Sequence, residues 1–262
     1  MSGSALVGRR VLVFGASSGL GRSIALDLVG RSARVAMAAR RVDRLAGSVA
    51  AAVTAAVTAE GDGADCFAVG CDVTNAAQVQ AAVDEVVEHL GGLDAVVYAS
   101  AIGRLVRLAD ASADDWAYSL ATNVTGAALV TAACLPHLEA TRGHALFLSS
   151  VSASQTAPWP GLGLYATSKA ALDKLVEAWA IEHPTVAFTR VVSGDCAGGP
   201  GDSTTQFADG WDPALATELF AEWAERGLLS GALVDVDDLA AVVASVLSSG
   251  AHIPSVVVQP RP

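Results

Sequence analysis

Short runs of β-branched and apolar residues alternate along the chain with longer stretches of helical periodicity. That alternation predicts βαβ units joined into a parallel sheet. The runs fall at Arg10–Phe14, at residues 35–38, 66–73, 94–98, 145–149 and 186–192, and at Ser255–Val258. Helical patterns fill the intervals: one around residues 23–29, then 45–59, Ala76–Leu90, 112–142 in one or two pieces, 163–183, 213–226 and 235–249. In the second helix the echo AAVTAAVTA places Val49, Val53 and Val57 on one face, which predicts a packed valine stripe. Residues 194–210 follow neither period, and an aromatic helix succeeds them. The expected architecture is one doubly wound, three-layer α/β domain over residues 1–262, with a mostly parallel seven-stranded sheet. A variable segment at about residues 194–226 interrupts it.

Composition removes several function classes. A net charge of −11 leaves little to neutralise a phosphate backbone or an anionic bilayer, so neither nucleic acid nor membrane is expected as a partner. Residues 116–138 carry no charged side chain. Ser119, Asn123, Thr125 and Pro136 within them favour a buried helix over a membrane span. Cys66, Cys71, Cys134 and Cys196 show no metal-binding spacing. They read as small apolar residues of a reducing, cytoplasmic protein, and no metal is expected. The five histidines form no pattern either.

The candidate chemistry begins at Gly15-Ala16-Ser17-Ser18-Gly19-Leu20-Gly21, directly between the first strand and the first helix. Residues without a Cβ let the backbone approach a pyrophosphate, and the helix start offers it free N–H groups. An NAD-selecting site would place Asp or Glu at the end of the second strand. This chain instead reads Ala38-Ala39-Arg40-Arg41, which favours the 2′-phosphate of NADP through Arg40, assisted by Arg41. NAD dependence is the lesser alternative. Further on, Tyr165 and Lys169 share a helix face, where a lysine cation would lower the tyrosine pKa toward a useful range.

Taken with Asp72-Val73, Asn123-Val124-Thr125-Gly126 and Ser149-Ser150, these motifs resemble the short-chain dehydrogenase/reductase family over nearly the whole chain. The resemblance implies an oxidoreductase moving a hydride between NADP(H) and a carbonyl/secondary-alcohol pair. Tyr165 would be its general acid/base, and Lys169 would hold the nicotinamide ribose. A serine would bond the substrate oxygen, Asn123 would anchor a relay water, and Asp72 and Val73 would face the adenine. For the serine, the family's usual interval to the tyrosine selects Ser152, but motif position selects Ser150. A two-residue insertion within residues 158–163 reconciles the interval with it, so Ser150 is the one expected. The resemblance also implies a homodimer or homotetramer paired through the helices at 116–138 and 165–179. Two departures stand out: Tyr98-Ala99-Ser100-Ala101 replaces the family's N-N-A-G, and Ser193-Gly194 replaces its Pro-Gly. They keep open a second function class, a non-catalytic dinucleotide sensor that retains the fold.

Overall fold

In the computed structural model, residues 6–58, 65–229 and 231–261 are described, and seven parallel strands lie in one sheet. In chain order the elements are β1 (Arg10–Phe14), α1 (Gly19–Gly30), β2 (Arg34–Ala39), α2 (Val42–Thr58), β3 (Cys66–Gly70), α3 (Ala76–Leu90) and β4 (Ala95–Tyr98). They continue with α4 (Ala113–Leu120), α5 (Gly126–Thr141), β5 (His144–Ser150), α6 (Gly163–Glu182), β6 (Ala187–Ser193), α7 (Pro213–Glu225), α8 (Val236–Ser248) and β7 (Ser255–Val258). The sheet order is β3-β2-β1-β4-β5-β6-β7. Strand order reverses between β1 and β4, and a crevice opens beyond the carboxyl ends of the strands at that point.

Both sheet faces are covered, which is why the strands are continuously apolar rather than alternating with polar residues. Val11 and Val13 point to one side, into a core shared with Ile24 and Leu28 of α1 and Leu239 and Val243 of α8. Leu12 and Phe14 point to the other, where Val83, Val130, Leu138 and Leu172 close the second core. A smaller apolar cluster, built on Leu105, Leu219 and Trp223, stands beyond the strand ends and seats α7.

Several boundaries depart from the hydrophobic pattern for local reasons. β3 stops at Gly70, short of residue 73, because the Asp72 carboxylate accepts from the Thr74 N–H at 2.9 Å and its hydroxyl at 2.8 Å, turning the chain. Asp94 stays outside β4 and forms a two-pronged ion pair with Arg10. In α2 Leu45, Ser48 and Ala52 are buried and Val49 packs against the first core, while Val53 is exposed; the side chain of Val57 lies outside the described residues. The end of the predicted helix at residue 59 lies outside the described residues.

The stretch Ala113–Thr141 is helical throughout, and by length and composition it is long enough to cross a membrane. A π-turn at Ala121–Thr125 divides it, and Ala127, Val130, Cys134 and Leu138 pack α5 into the second core. The segment 194–210 is irregular but folded back on itself. Its Gly198 and Thr204 bridge antiparallel, and Thr205 N–H donates to the Ala197 carbonyl at 2.9 Å.

Candidate active site

One cleft of about 1350 Å³ runs across the strand ends. It exceeds the few hundred to roughly 1,000 Å³ of a typical small-ligand pocket and leaves room for a dinucleotide beside a substrate. The cleft gathers Gly15, Ser17, Ser18, Gly19, Leu20, Gly21, Arg40, Asp72, Val73, Ser150, Tyr165 and Lys169, all expected from the sequence. Asn123 is the expected site residue that does not line it.

At one end, the turn after β1 is shaped by two glycines. Gly15 has φ +84, and a Cβ there would lie 2.8 Å from the Ala99 carbonyl carbon and the Ser100 nitrogen. A Cβ on Gly21 would lie 2.4 Å from the Gly15 carbonyl oxygen, so α1 reaches the turn only because that atom is missing. Ser18 caps α1 without a side-chain hydrogen bond, and the first turn holds no acidic residue. The leading N–H groups and the positive end of the helix dipole are therefore available to an anion. Thr205 of the folded-back segment closes over Gly19. Local spacing gave no hint of Thr205, since the contact depends on how a distant loop returns.

Arg41 spans the turn, donating to the hydroxyls of Ser17 at 3.3 Å and Ser18 at 3.2 Å. Arg40 leaves the end of β2 and is exposed. Burial, followed by repulsion from Arg44 and Arg40 and offset by Asp209 and Asp43, holds the Arg41 guanidinium below its ordinary pKa. Asp72 behaves in the opposite sense. Burial pushes its carboxyl up, but the hydrogen bonds from Thr74 and the nearby Arg40 bring it below the usual value.

The middle of the cleft holds Tyr165. Its ring packs edge-on to Phe207 at 4.8 Å between centroids, and Lys169 Nζ stands 5.8 Å from the ring centre. Lys169 Nζ donates to the Leu148 carbonyl at 2.7 Å. The expected lowering of the tyrosine pKa by the lysine is not what the geometry gives. Burial drives the phenol up to about 12, Asp195 adds to the rise, and the hydrogen bond with Ser150 opposes it. Burial likewise pushes the Lys169 ammonium down to about 8, while Asp173 one turn further along α6 pulls it back up. Ser150 is thus the serine beside the phenol, and Ser152 stands behind it, with 2.9 Å between the two hydroxyl oxygens.

Asn123 sits in the π-turn with its side chain fully engaged. Oδ1 accepts from the Ile102 N–H at 2.9 Å, and Nδ2 donates to the Ile102 carbonyl at 3.0 Å and to Ser168 Oγ at 2.8 Å. It clamps the segment after β4 to α6, one residue before Lys169. The Tyr98 departure is absorbed in the same region. Tyr98 is buried and donates to the Thr122 carbonyl, and Gly126 leaves space for its hydroxyl.

A sheet switch point, a glycine turn at a helix start and a Tyr165–Lys169–Ser150 group thus meet in one cleft. The family model for short chain dehydrogenase matches residues 9–199, and the chain belongs to the short-chain dehydrogenase/reductase family of oxidoreductases. The protein called 11-beta-hydroxysteroid dehydrogenase-like 2 of Arabidopsis thaliana is 29% identical over 191 residues, covering 72% of this chain and 59% of that protein. Oxidoreductase UcpA of Salmonella typhimurium is 32% identical over 181 residues, covering 68% and 65%. The matched stretch therefore spans less than two thirds of either relative. A dehydrogenase/reductase structure from Sinorhizobium meliloti 1021 superposes with a TM-score of 0.78 at 26% identity, covering 98% of this chain and 96% of that one.

Proposed function

We propose that the protein is an NADP(H)-dependent oxidoreductase that interconverts a carbonyl and a secondary alcohol. The observation that carries this reading is the placement of Tyr165, flanked by Ser150 and Lys169, in the cleft whose other end is the glycine cradle. The dinucleotide, when bound, supplies or accepts the hydride. Residues 15–21 would hold its pyrophosphate, Asp72 and Val73 its adenine side, and Lys169 its ribose hydroxyls. Ser150 donates a hydrogen bond to the substrate oxygen, and Tyr165 gives that oxygen a proton. A phenol held near 12 keeps its proton at neutral pH, which suits carbonyl reduction. Asn123 acts as a positioning residue through Ile102 and Ser168. The filled Tyr98–Thr122 contact argues against a dismantled, sensor-only site.

NADP is favoured by the cluster of Arg40, Arg41 and Arg44, whose mutual repulsion an anionic 2′-phosphate would relieve. Arg40→Ala is expected to lower the NADPH-over-NADH preference in kcat/KM by about tenfold to a hundredfold, as befits a lost charge-assisted pair. An unchanged preference would assign that end of the cleft to NAD.

The Lys169–Asp173 pair sets a pH limb. Lys169 must stay charged to donate to the ribose hydroxyls, so kcat/KM for reduction should fall as pH rises through about 8. Asp173→Asn removes the charge that holds the ammonium up, and it should move this limb to lower pH by about one unit. A limb that stays in place would detach Asp173 from the site.

Assembly as a homodimer or homotetramer belongs to the same proposal. It is supported by exposed apolar side chains on the same helices, Tyr118 at 50% exposure on α4 and Ile181 at 82% near the end of α6. Sedimentation is expected to return a dimer or tetramer at micromolar concentration, and a monomer would oppose it. A cytoplasmic setting is proposed as well, supported by the burial of Cys71 and Cys134, which keeps both thiols protonated.

A further inference from the structure

Beyond Tyr165 the cleft changes character. Its walls there are aromatic, and the rings are fixed. Phe207 stands edge-on to Tyr165, Trp211 edge-on to Phe207 at 5.6 Å, and Trp159 and Trp223 lie 5.1 Å apart. Two of the indole N–H groups are already spent, Trp211 on the Gly103 carbonyl at 2.7 Å and Trp223 on the Pro160 carbonyl at 2.9 Å. What these two side chains offer a ligand is π surface.

The same cleft is lined by the carboxylate of Asp195, whose charge acts on Tyr165. Its backbone is anchored on both sides: Gly194 N–H donates to the Val258 carbonyl at 2.8 Å, and the Asp195 carbonyl accepts from Val234 N–H at 2.8 Å. The side chain is exposed to the cleft and makes no hydrogen bond or ion pair among the described residues. The other carboxylates on the cleft wall have a positive charge nearby, Asp72 having Arg40 and Thr74, and Asp209 having Arg41; Arg104 pairs with Asp115 at 2.7 Å, and Lys169 donates to the Leu148 carbonyl.

A carboxylate that a ligand seals away from water without a partner is strongly unfavourable, so a neutral ligand filling this end meets an electrostatic penalty. A ligand bringing a positive charge removes the penalty and also gains from the facing aromatic rings, which attract cations. Resting on the carbonyl-reductase reading above, we infer that the substrate carries a cationic nitrogen, an ammonium or quaternary ammonium group, next to its reacting carbonyl, and that Asp195 and the aromatic wall select it. The same charge reaches the chemistry. Burial raises the Asp195 carboxyl above its usual range, and the Asp195 charge helps hold the Tyr165 proton on. A cation seated between them would ease Tyr165 toward releasing that proton to the carbonyl oxygen.

The test uses two matched ketones, one bearing a trimethylammonium group and the other its neutral tert-butyl isostere. Each is titrated into the protein with and without NADPH, with tryptophan fluorescence as the binding readout and NADPH oxidation as the turnover readout. The cationic ketone is expected to bind at least about tenfold more tightly. Asp195→Asn should reduce that ratio to near unity, and Asp195→Glu should restore much of it. Equal binding of the two ketones to the unmodified protein, or binding of neither, overturns the inference without recourse to any variant. Discrimination in binding with no NADPH oxidation upholds the cation site and counts against the reductase reading. Turnover of both ketones at equal kcat/KM does the reverse.

Discussion

Tyr165→Phe is expected to lower kcat for carbonyl reduction by about 10² to 10⁴, the range a positioned general acid contributes. The substitution deletes one oxygen and keeps the ring. Packing against Phe207 at 4.8 Å and the burial that holds α6 in place are therefore retained. The dissociation constant for NADPH should stay within about twofold, because the cradle at residues 15–21 and the arginines at the end of β2 are untouched. Steady-state kinetics on any accepted ketone, paired with a cofactor titration of the same preparation, separates these two effects. Turnover within a factor of about three of the unsubstituted protein would take the proton-transfer role away from Tyr165. A Ser150→Ala variant should show a smaller loss in kcat/KM, since it removes a hydrogen bond to the substrate oxygen and leaves the proton donor in place.

Gly21→Ala is expected to abolish measurable cofactor binding, with affinity falling by at least about a hundredfold. The added methyl would meet the Gly15 carbonyl oxygen at 2.4 Å and the carbonyl carbon at 2.8 Å, and both atoms belong to backbone that cannot rotate away. Relief requires α1 to withdraw from the turn, which moves the N–H groups that face the pyrophosphate site. Overpacking of this kind typically costs about 1–3 kcal/mol of folding stability, so the variant should still fold at room temperature. Gly30 supplies the control in the same helix. A Cβ there meets nothing within 4 Å, so Gly30→Ala should bind cofactor normally and melt at or slightly above the parent temperature. Calorimetric titration and thermal melts of the two variants side by side test the steric argument. Equal cofactor affinity in both would remove it.

The parts of the site that were legible in the amino-acid sequence are those that local spacing defines. The glycine turn follows an apolar strand and opens a helix, and Tyr165 and Lys169 fall one turn apart. These relations survive folding whatever the rest of the chain does. Motif position already pointed to Ser150 over Ser152, and the hydrogen bond with the phenol agrees, although the two hydroxyls lie together at the end of β5. The sign of the tyrosine shift was misread. Proximity to a cation is visible in the spacing, whereas the burial that raises the phenol arises only in the folded cleft, where Phe207 from the loop after β6 packs edge-on to the ring. Thr205 over Gly19 and the unmatched charge of Asp195 arise in the same way, from a segment whose own sequence carries no periodicity. The α2 stripe holds only in part. Several faces of an Ala/Val helix are almost equally apolar, and the buried one carries Leu45 and Ala52 with Val49 at its edge, leaving Val53 exposed.

The most direct test of the account is a calorimetric titration of the purified protein with NADPH and, separately, with NADH. Binding of NADPH at least about tenfold tighter than NADH is the predicted result, set by the anionic 2′-phosphate against the Arg40–Arg41 end of the cleft. Binding of neither dinucleotide would contradict the account at its root.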